Sequence, residues 1–107
     1  MNLLFICSRN QWRSPTAEAI YKNHPTIRAK SAGTEPSARI KLNAKMLEWA
    51  DIVFVMEKKH KQRIQEKFPT EASQKQIIIL DIPDEYQFMD EELVEEITSK
   101  VAFQLTS

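Results

Sequence analysis

The sequence predicts an α/β fold, a small doubly wound parallel sheet of four strands with helices on both faces. Two observations predict it. Short apolar runs alternate with longer amphipathic ones along the whole chain, a strand–helix pattern repeated four times. The apolar runs are also compact and rich in β-branched residues, as strands buried on both faces are.

Asn2 to Ile6 (NLLFI) reads as the first strand. The run Ser14-Pro15-Thr16-Ala17-Glu18-Ala19-Ile20 follows as a helix, with Ser14 expected as N-cap and Pro15 at the first helical position. Ile27 to Ser31 alternates and ends at Ala32-Gly33, giving the second strand. Asn43 to Ala50 is helical by spacing, with Met46, Leu47 and Ala50 turned inward. Ile52 to Met56 is the third strand, and Lys58 to Phe68 a polar helix that Pro69 closes. Ile77 to Leu80 is the fourth strand. Asp90 then caps a last helix in which Leu93, Ile97, Val101 and Leu105 recur every fourth residue. Right-handed crossovers follow from this order, and ligands of such sheets sit at the carboxyl ends of the strands. Cys7, Gly33, Glu57 and Asp81 fall at those ends.

With 107 residues the chain is expected to form a single domain, 1–107. Its zero net charge supplies no overall field for nucleic acid, so none is expected as a partner. No apolar run is long enough to cross a bilayer and no leader pattern opens the chain, so no membrane is expected and the cytoplasm is the expected location. The single cysteine rules out an intramolecular disulfide. Residues 81–96 hold eight acids and no base, which reads either as an acidic first helical turn or as the source of a catalytic acid.

The chemistry is expected in Cys7-Ser8-Arg9-Asn10-Gln11-Trp12-Arg13-Ser14, between the first strand and the first helix. A short loop running into a helix N-terminus turns successive N–H groups inward and cradles an anion. Residues Ser8 to Ser14 are therefore the expected phosphate-binding loop, and the same field favours a thiolate at Cys7. The planar fork of Arg13 suits two phosphate oxygens at once. A cradle of this kind needs a residue with positive φ, and the only glycine, Gly33, lies outside it, so Asn10 is expected to take that role. Ser14 is expected both to cap the helix and to donate to the sulfur.

These residues resemble the signature of the low-molecular-weight protein tyrosine phosphatases: a cysteine, five residues, then arginine and serine or threonine. Arg13 to Ala19 is similar to that family's continuation, Asn10 to its asparagine, and Ser31-Ala32-Gly33-Thr34 to its second strand end, whose serine supports the loop. Ala50 to Met56 resembles its third strand. The resemblance spans most of the chain and is strongest from Leu3 to Ala19. It implies hydrolysis of a phosphomonoester, such as an aryl phosphate, through a phosphocysteine intermediate, with Cys7 as nucleophile and no cofactor. It also implies a shortened member, lacking material between Thr34 and Trp49 and around residues 58–75. Many members carry a second cysteine in the loop where this chain has Trp12, so no resolving thiol is expected.

A carboxylic acid above the pocket would protonate the leaving group, and the family has an aspartate after the fourth strand. Two candidates stand there. Asp81 keeps the strand-end register, while Asp84 keeps the spacing to Tyr86 and has the longer reach from a loop. Trp12, Tyr86 and Phe88 are candidate walls for a substrate ring, and Arg9 a candidate source of positive potential at the mouth. His24 and His60 lie on polar stretches without ligand spacing, so no metal is expected. The expected partner is a phosphorylated protein or a small phosphoester. Competing readings are a phosphocysteine phosphotransfer carrier, a binding module for phosphorylated partners, and a thiol-dependent arsenate reductase.

Overall fold

A computed structural model describes residues 1–106. Four parallel strands, β1 (Asn2–Cys7), β2 (Arg28–Gly33), β3 (Ile52–Val55) and β4 (Gln76–Ile79), form one sheet in the order β2-β1-β3-β4. The helices are α1 (Arg13–Tyr21), α2 (Ala44–Trp49), α3 (Lys58–Lys67), α4 (Pro69–Ser73) and α5 (Glu91–Thr106). The doubly wound sheet expected from the pattern is present. No helix among the described residues is long and apolar enough to cross a membrane.

Period-two alternation divides the core between the faces. Leu3, Phe5 and Cys7 of β1 join Phe54 of β3 and pack with Ala17 of α1 and Leu93, Ile97 and Val101 of α5. Leu4 and Ile6 join Val53 and Val55 on the other face, under Leu47 of α2 and Ile64 of α3. The register sets Phe5 beside Phe54, and their rings stack with centroids 5.5 Å apart. β1 is thus buried on both sides, which anchors the loop that leaves it.

Two local expectations need correction. Ser14 is not an N-cap. Helix α1 already begins at Arg13 after Trp12, which makes no side-chain cap bond, so Ser14 lies within the first turn and points back toward the sheet. Pro69 does not simply end a helix. Its fixed φ suits a first helical position, and it opens the short α4, whose Ala72 packs on the α2–α3 face beside Phe68.

The strand order reverses between β1 and β3, because β1 is followed in space by β2 on one side and β3 on the other. Connections therefore diverge above the carboxyl end of β1 and leave a crevice there. Replacing Leu93 by Ala, in the helix that roofs one face, is expected to destabilise the protein by about 2–5 kcal/mol, read from the urea midpoint.

Candidate active site

The segment from Cys7 to Arg13 closes a tight loop over the end of β1, and its main chain is oriented by what lies behind it. The carbonyl of Cys7 accepts from Thr34 N, that of Ser8 from Glu35 N and that of Arg9 from Arg39 N, at 2.9–3.0 Å. The carbonyl of Asn10 accepts from Arg39 Nε at 3.1 Å. With the oxygens drawn to one side, the peptide N–H groups face the other. Among the described residues none of the N–H groups of Ser8 to Trp12 donates to an acceptor. Asn10 supplies the left-handed residue, at φ 56°. Gly33 is needed for a different reason: a Cβ there would lie 2.6 Å from the Ser8 carbonyl oxygen and 2.7 Å from Ala38 Cβ.

A directed chain of hydrogen bonds ends at the sulfur. The amide nitrogen of Asn10 donates to both Ser14 Oγ and Ser31 Oγ at 2.9 Å. Ser31 passes its own proton to Glu18 Oε1. Ser14, already an acceptor, keeps one proton to give, and Cys7 Sγ lies 2.9 Å away against 3.4 Å for the Ala32 carbonyl. Ser14 Oγ is thereby placed to donate to the sulfur of Cys7. The sulfur is buried and free of any disulfide.

Arg13 is also buried, at 2% exposure, so its charge must be paired. Its Nη1 donates to Glu57 Oε2 at 2.5 Å and to the Ile82 carbonyl at 2.8 Å, and its Nε lies 3.5 Å from Asp84 Oδ1. Burial works to raise the Glu57 carboxyl, but the hydrogen bond and charge of Arg13, with Lys59 and His60, outweigh it and hold the group below its ordinary value. The pocket above the loop is lined by Cys7, Ser8, Arg9, Gln11, Trp12 and Arg13, with Glu35, Lys59 and Asp84 at its rim.

No protein-family model matches the sequence, and neither does any curated protein. Solved structures do. YwlE arginine phosphatase from Geobacillus stearothermophilus is similar at 26% identity and TM-score 0.76, over 98% of this chain and 92% of that one. The tyrosine phosphatase Wzb from Escherichia coli K30, in complex with phosphate, shares 22% identity at TM-score 0.77 over 97% of each chain. SP-PTP, the low-molecular-weight protein tyrosine phosphatase from Streptococcus pyogenes, shares 16% identity at TM-score 0.79 over 98% of this chain and 91% of that one. The chain has the low-molecular-weight phosphatase fold.

Within that phosphatase fold the two candidate acids part company. Asp84 lines the pocket beside Arg13. Asp81 does not. It adopts φ 58°, between Leu80 and Ile82, whose N–H groups continue the ladder onto Val55 and Met56, and its exposed side chain lies outside the pocket lining. Asp81 is a conformational residue, one of the few types that tolerate the left-handed region. The expected ring walls also divide. Trp12 lines the pocket at 43% exposure, whereas Tyr86 packs against the α1–α5 core and Phe88 is exposed, and neither lines the pocket.

Sequence reasoning passed over four residues that hold the loop or the arginine. Glu57 was placed at a strand end without a role, Glu18 was read only as an early helical residue, and Arg39 was not singled out. His60 stands on a polar stretch, yet it is fully buried, with Ser8 Oγ 2.9 Å from Nε2 and the Glu57 N–H donated to Nδ1 at 3.0 Å. Burial, followed by the charge of Arg13, pushes its pKa down to about 4. One signal was available: a carboxylate ending the strand beside the loop is the nearest partner for a buried arginine.

Gly33→Ala is expected to lower the affinity for inorganic phosphate at least tenfold and to cost about 1–3 kcal/mol of stability, because the clash is with loop backbone. Titration calorimetry and thermal melts would read the two effects. His60 takes up its proton later in the folded chain than in the unfolded one, so acid favours unfolding. Stability is expected to fall as pH drops from the ordinary histidine value to about 4. Below its ordinary value Glu57 adds a loss of the same sign. Melting the protein across this range checks the slope, which His60→Gln should reduce.

Proposed function

We propose that the protein is a cysteine-dependent phosphatase acting on phosphomonoesters through a phosphocysteine intermediate. The observation that carries the reading is the sulfur at the end of β1, bonded to Ser14 and framed by inward N–H groups and a buried, paired Arg13. Its support outside the chain is the fold shared with YwlE, Wzb and SP-PTP.

In the proposed reaction the loop N–H groups of Ser8 to Ser14 and the Arg13 fork hold the phosphoryl oxygens. The Cys7 thiolate attacks phosphorus, the bond from phosphorus to the leaving oxygen breaks, and Asp84 gives that oxygen its proton. The Asp84 carboxylate then takes a proton from water. The water oxygen bonds to phosphorus, the S–P bond breaks, and inorganic phosphate leaves while the thiolate returns under the Ser14 hydroxyl. Glu57 holds Arg13, and Asn10, Ser31 and Glu18 hold Ser14. Arg9 and Lys59 add positive charge at the rim.

Trp12 supports an aryl group beside the phosphate, hence phosphotyrosine in a protein or a small aryl phosphate as substrate. A second reading, phosphoarginine, is favoured by the polar Gln11 and the carboxylates of Glu35 and Asp84 at the pocket, and by the activity named for YwlE. A free thiol without a partner suits the reducing cytoplasm. A phosphotransfer carrier would hold the phosphocysteine, a binding module would never form it, and an arsenate reductase would need an external thiol.

Cys7→Ser is expected to abolish turnover of p-nitrophenyl phosphate, with the circular dichroism spectrum unchanged. Asp84→Asn should cost little with that good leaving group and about 10²–10⁴-fold with an alkyl phosphate, while Asp81→Asn leaves both rates as they were. Equal effects of Asp84→Asn on both substrates would remove it as the acid. Rates on phosphotyrosine and phosphoarginine peptides decide between the two substrates.

A further inference from the structure

His60 takes no part in the reaction set out above, although both of its ring nitrogens are engaged directly behind the pocket. Nδ1 accepts the Glu57 main-chain N–H, so it carries a lone pair and not a proton. The ring proton is therefore on Nε2, which donates to Ser8 Oγ. The hydroxyl of Ser8 is thereby used as an acceptor on its buried side and retains its own proton. Ser8 lines the pocket with Cys7 and Arg13, and no second partner of its hydroxyl is present among the described residues.

We infer that His60 is a positioning residue that acts through Ser8, fixing its hydroxyl so that the Oγ–H is presented to an oxygen of the phosphoryl group held over Cys7. This rests on the phosphatase reading of the pocket. The loop would then offer a side-chain donor on the β3 side in addition to its N–H groups and Arg13. Both side-chain donors are set by one turn. Glu57 gives its carboxylate to Arg13 and its N–H to His60, so the end of β3 aligns the fork and the hydroxyl together. The charged groups facing the imidazole are Arg13, Glu57, Lys59 and Arg63, and the three cations act with burial to keep the ring neutral. A protonated ring would lose the bond from Glu57 and, with it, the orientation of Ser8.

A double-mutant cycle with inorganic phosphate as competitive inhibitor tests this. Ser8→Ala and His60→Ala are each expected to weaken phosphate inhibition about 10–150-fold, the worth of one hydrogen bond to a charged group. The double variant should be no weaker than Ser8→Ala alone, and Ser8→Thr should restore wild-type inhibition. Should His60→Ala fail to fold, His60→Gln completes the cycle, and ¹⁵N spectra of the wild type at pH 6 supply a second reading. Those spectra should show the neutral Nε2–H tautomer for His60. Multiplying effects in the double variant, or a proton on Nδ1, would overturn the role of His60 while leaving the phosphatase reading intact. A wild type that binds no phosphate would instead overturn the pocket reading itself, and this inference with it.

Discussion

The whole site depends on which way five consecutive peptides face. A loop at a strand end has both donors and acceptors to satisfy, and here the acceptors are taken by the chain just beyond β2. Thr34, Glu35 and Arg39 draw the carbonyl oxygens of residues 7–10 outward, which commits the N–H groups to the pocket. Such a set of unpaired donors is costly to keep in a protein interior and has value only where an anion completes it. The close contact that permits this also explains the lone glycine. Gly33 pairs with Cys7 in the parallel register and lies against the Ser8 carbonyl, where any side chain would push the loop off its support.

On that frame the electrostatics are set by pairing and not by net charge. Arg13 is buried and would be destabilising alone, yet Glu57, the Ile82 carbonyl and Asp84 share its donors. Cys7 has its nearest polar partner in Ser14, whose Oγ accepts from Asn10 and has the sulfur, at 2.9 Å, closer than the Ala32 carbonyl at 3.4 Å as a partner for its own proton. Asn10 thus feeds two branches, one through Ser14 to the sulfur and one through Ser31, which donates to Glu18. Pairing is local within a chain of zero net charge: Glu57 meets both Arg13 and Lys59, and Asp84 meets Arg13.

Much of this was legible in the sequence because it is written in local order. The strand–loop–helix run from Leu3 to Ala19 carries its periodicity and its cysteine–arginine spacing within one stretch, and the positive φ of Asn10 followed from the lack of glycine in the loop. What was not legible depends on register between distant segments. Glu57 meets Arg13 across 44 residues, and His60 reaches Ser8 across 52, so neither contact leaves a mark on its own neighbourhood. His60 in particular sits among lysines, and only the turn of α3 that carries it back over the loop buries it. Asp81 lies outside the pocket lining for a backbone reason. It stands just past the strand, where the chain takes a positive φ between the bonded Leu80 and Ile82, and its carboxylate is not in the pocket lining.

Asp84 occupies the least constrained part of the site, and this follows from how its segment is held. The stretch from Leu80 to Asp90 has no regular structure, yet it is fastened at both ends. Ile82 is buried, bonds Met56 through its N–H and receives Arg13 on its carbonyl, while the Met89 N–H donates to Thr16 Oγ1 in α1. Between these anchors Asp84 is 57% exposed and touches Arg13 only at 3.5 Å. A rigid acid pressed against the guanidinium would compete with the phosphate for the same donors. In the proposed reaction, an exposed acid leaves Arg13 to the substrate, and the Ile82 carbonyl ties the base of its loop to that arginine. The loop of residues 7–13 and the segment that carries Asp84 are thus joined through one side chain, Arg13, which is buried between them.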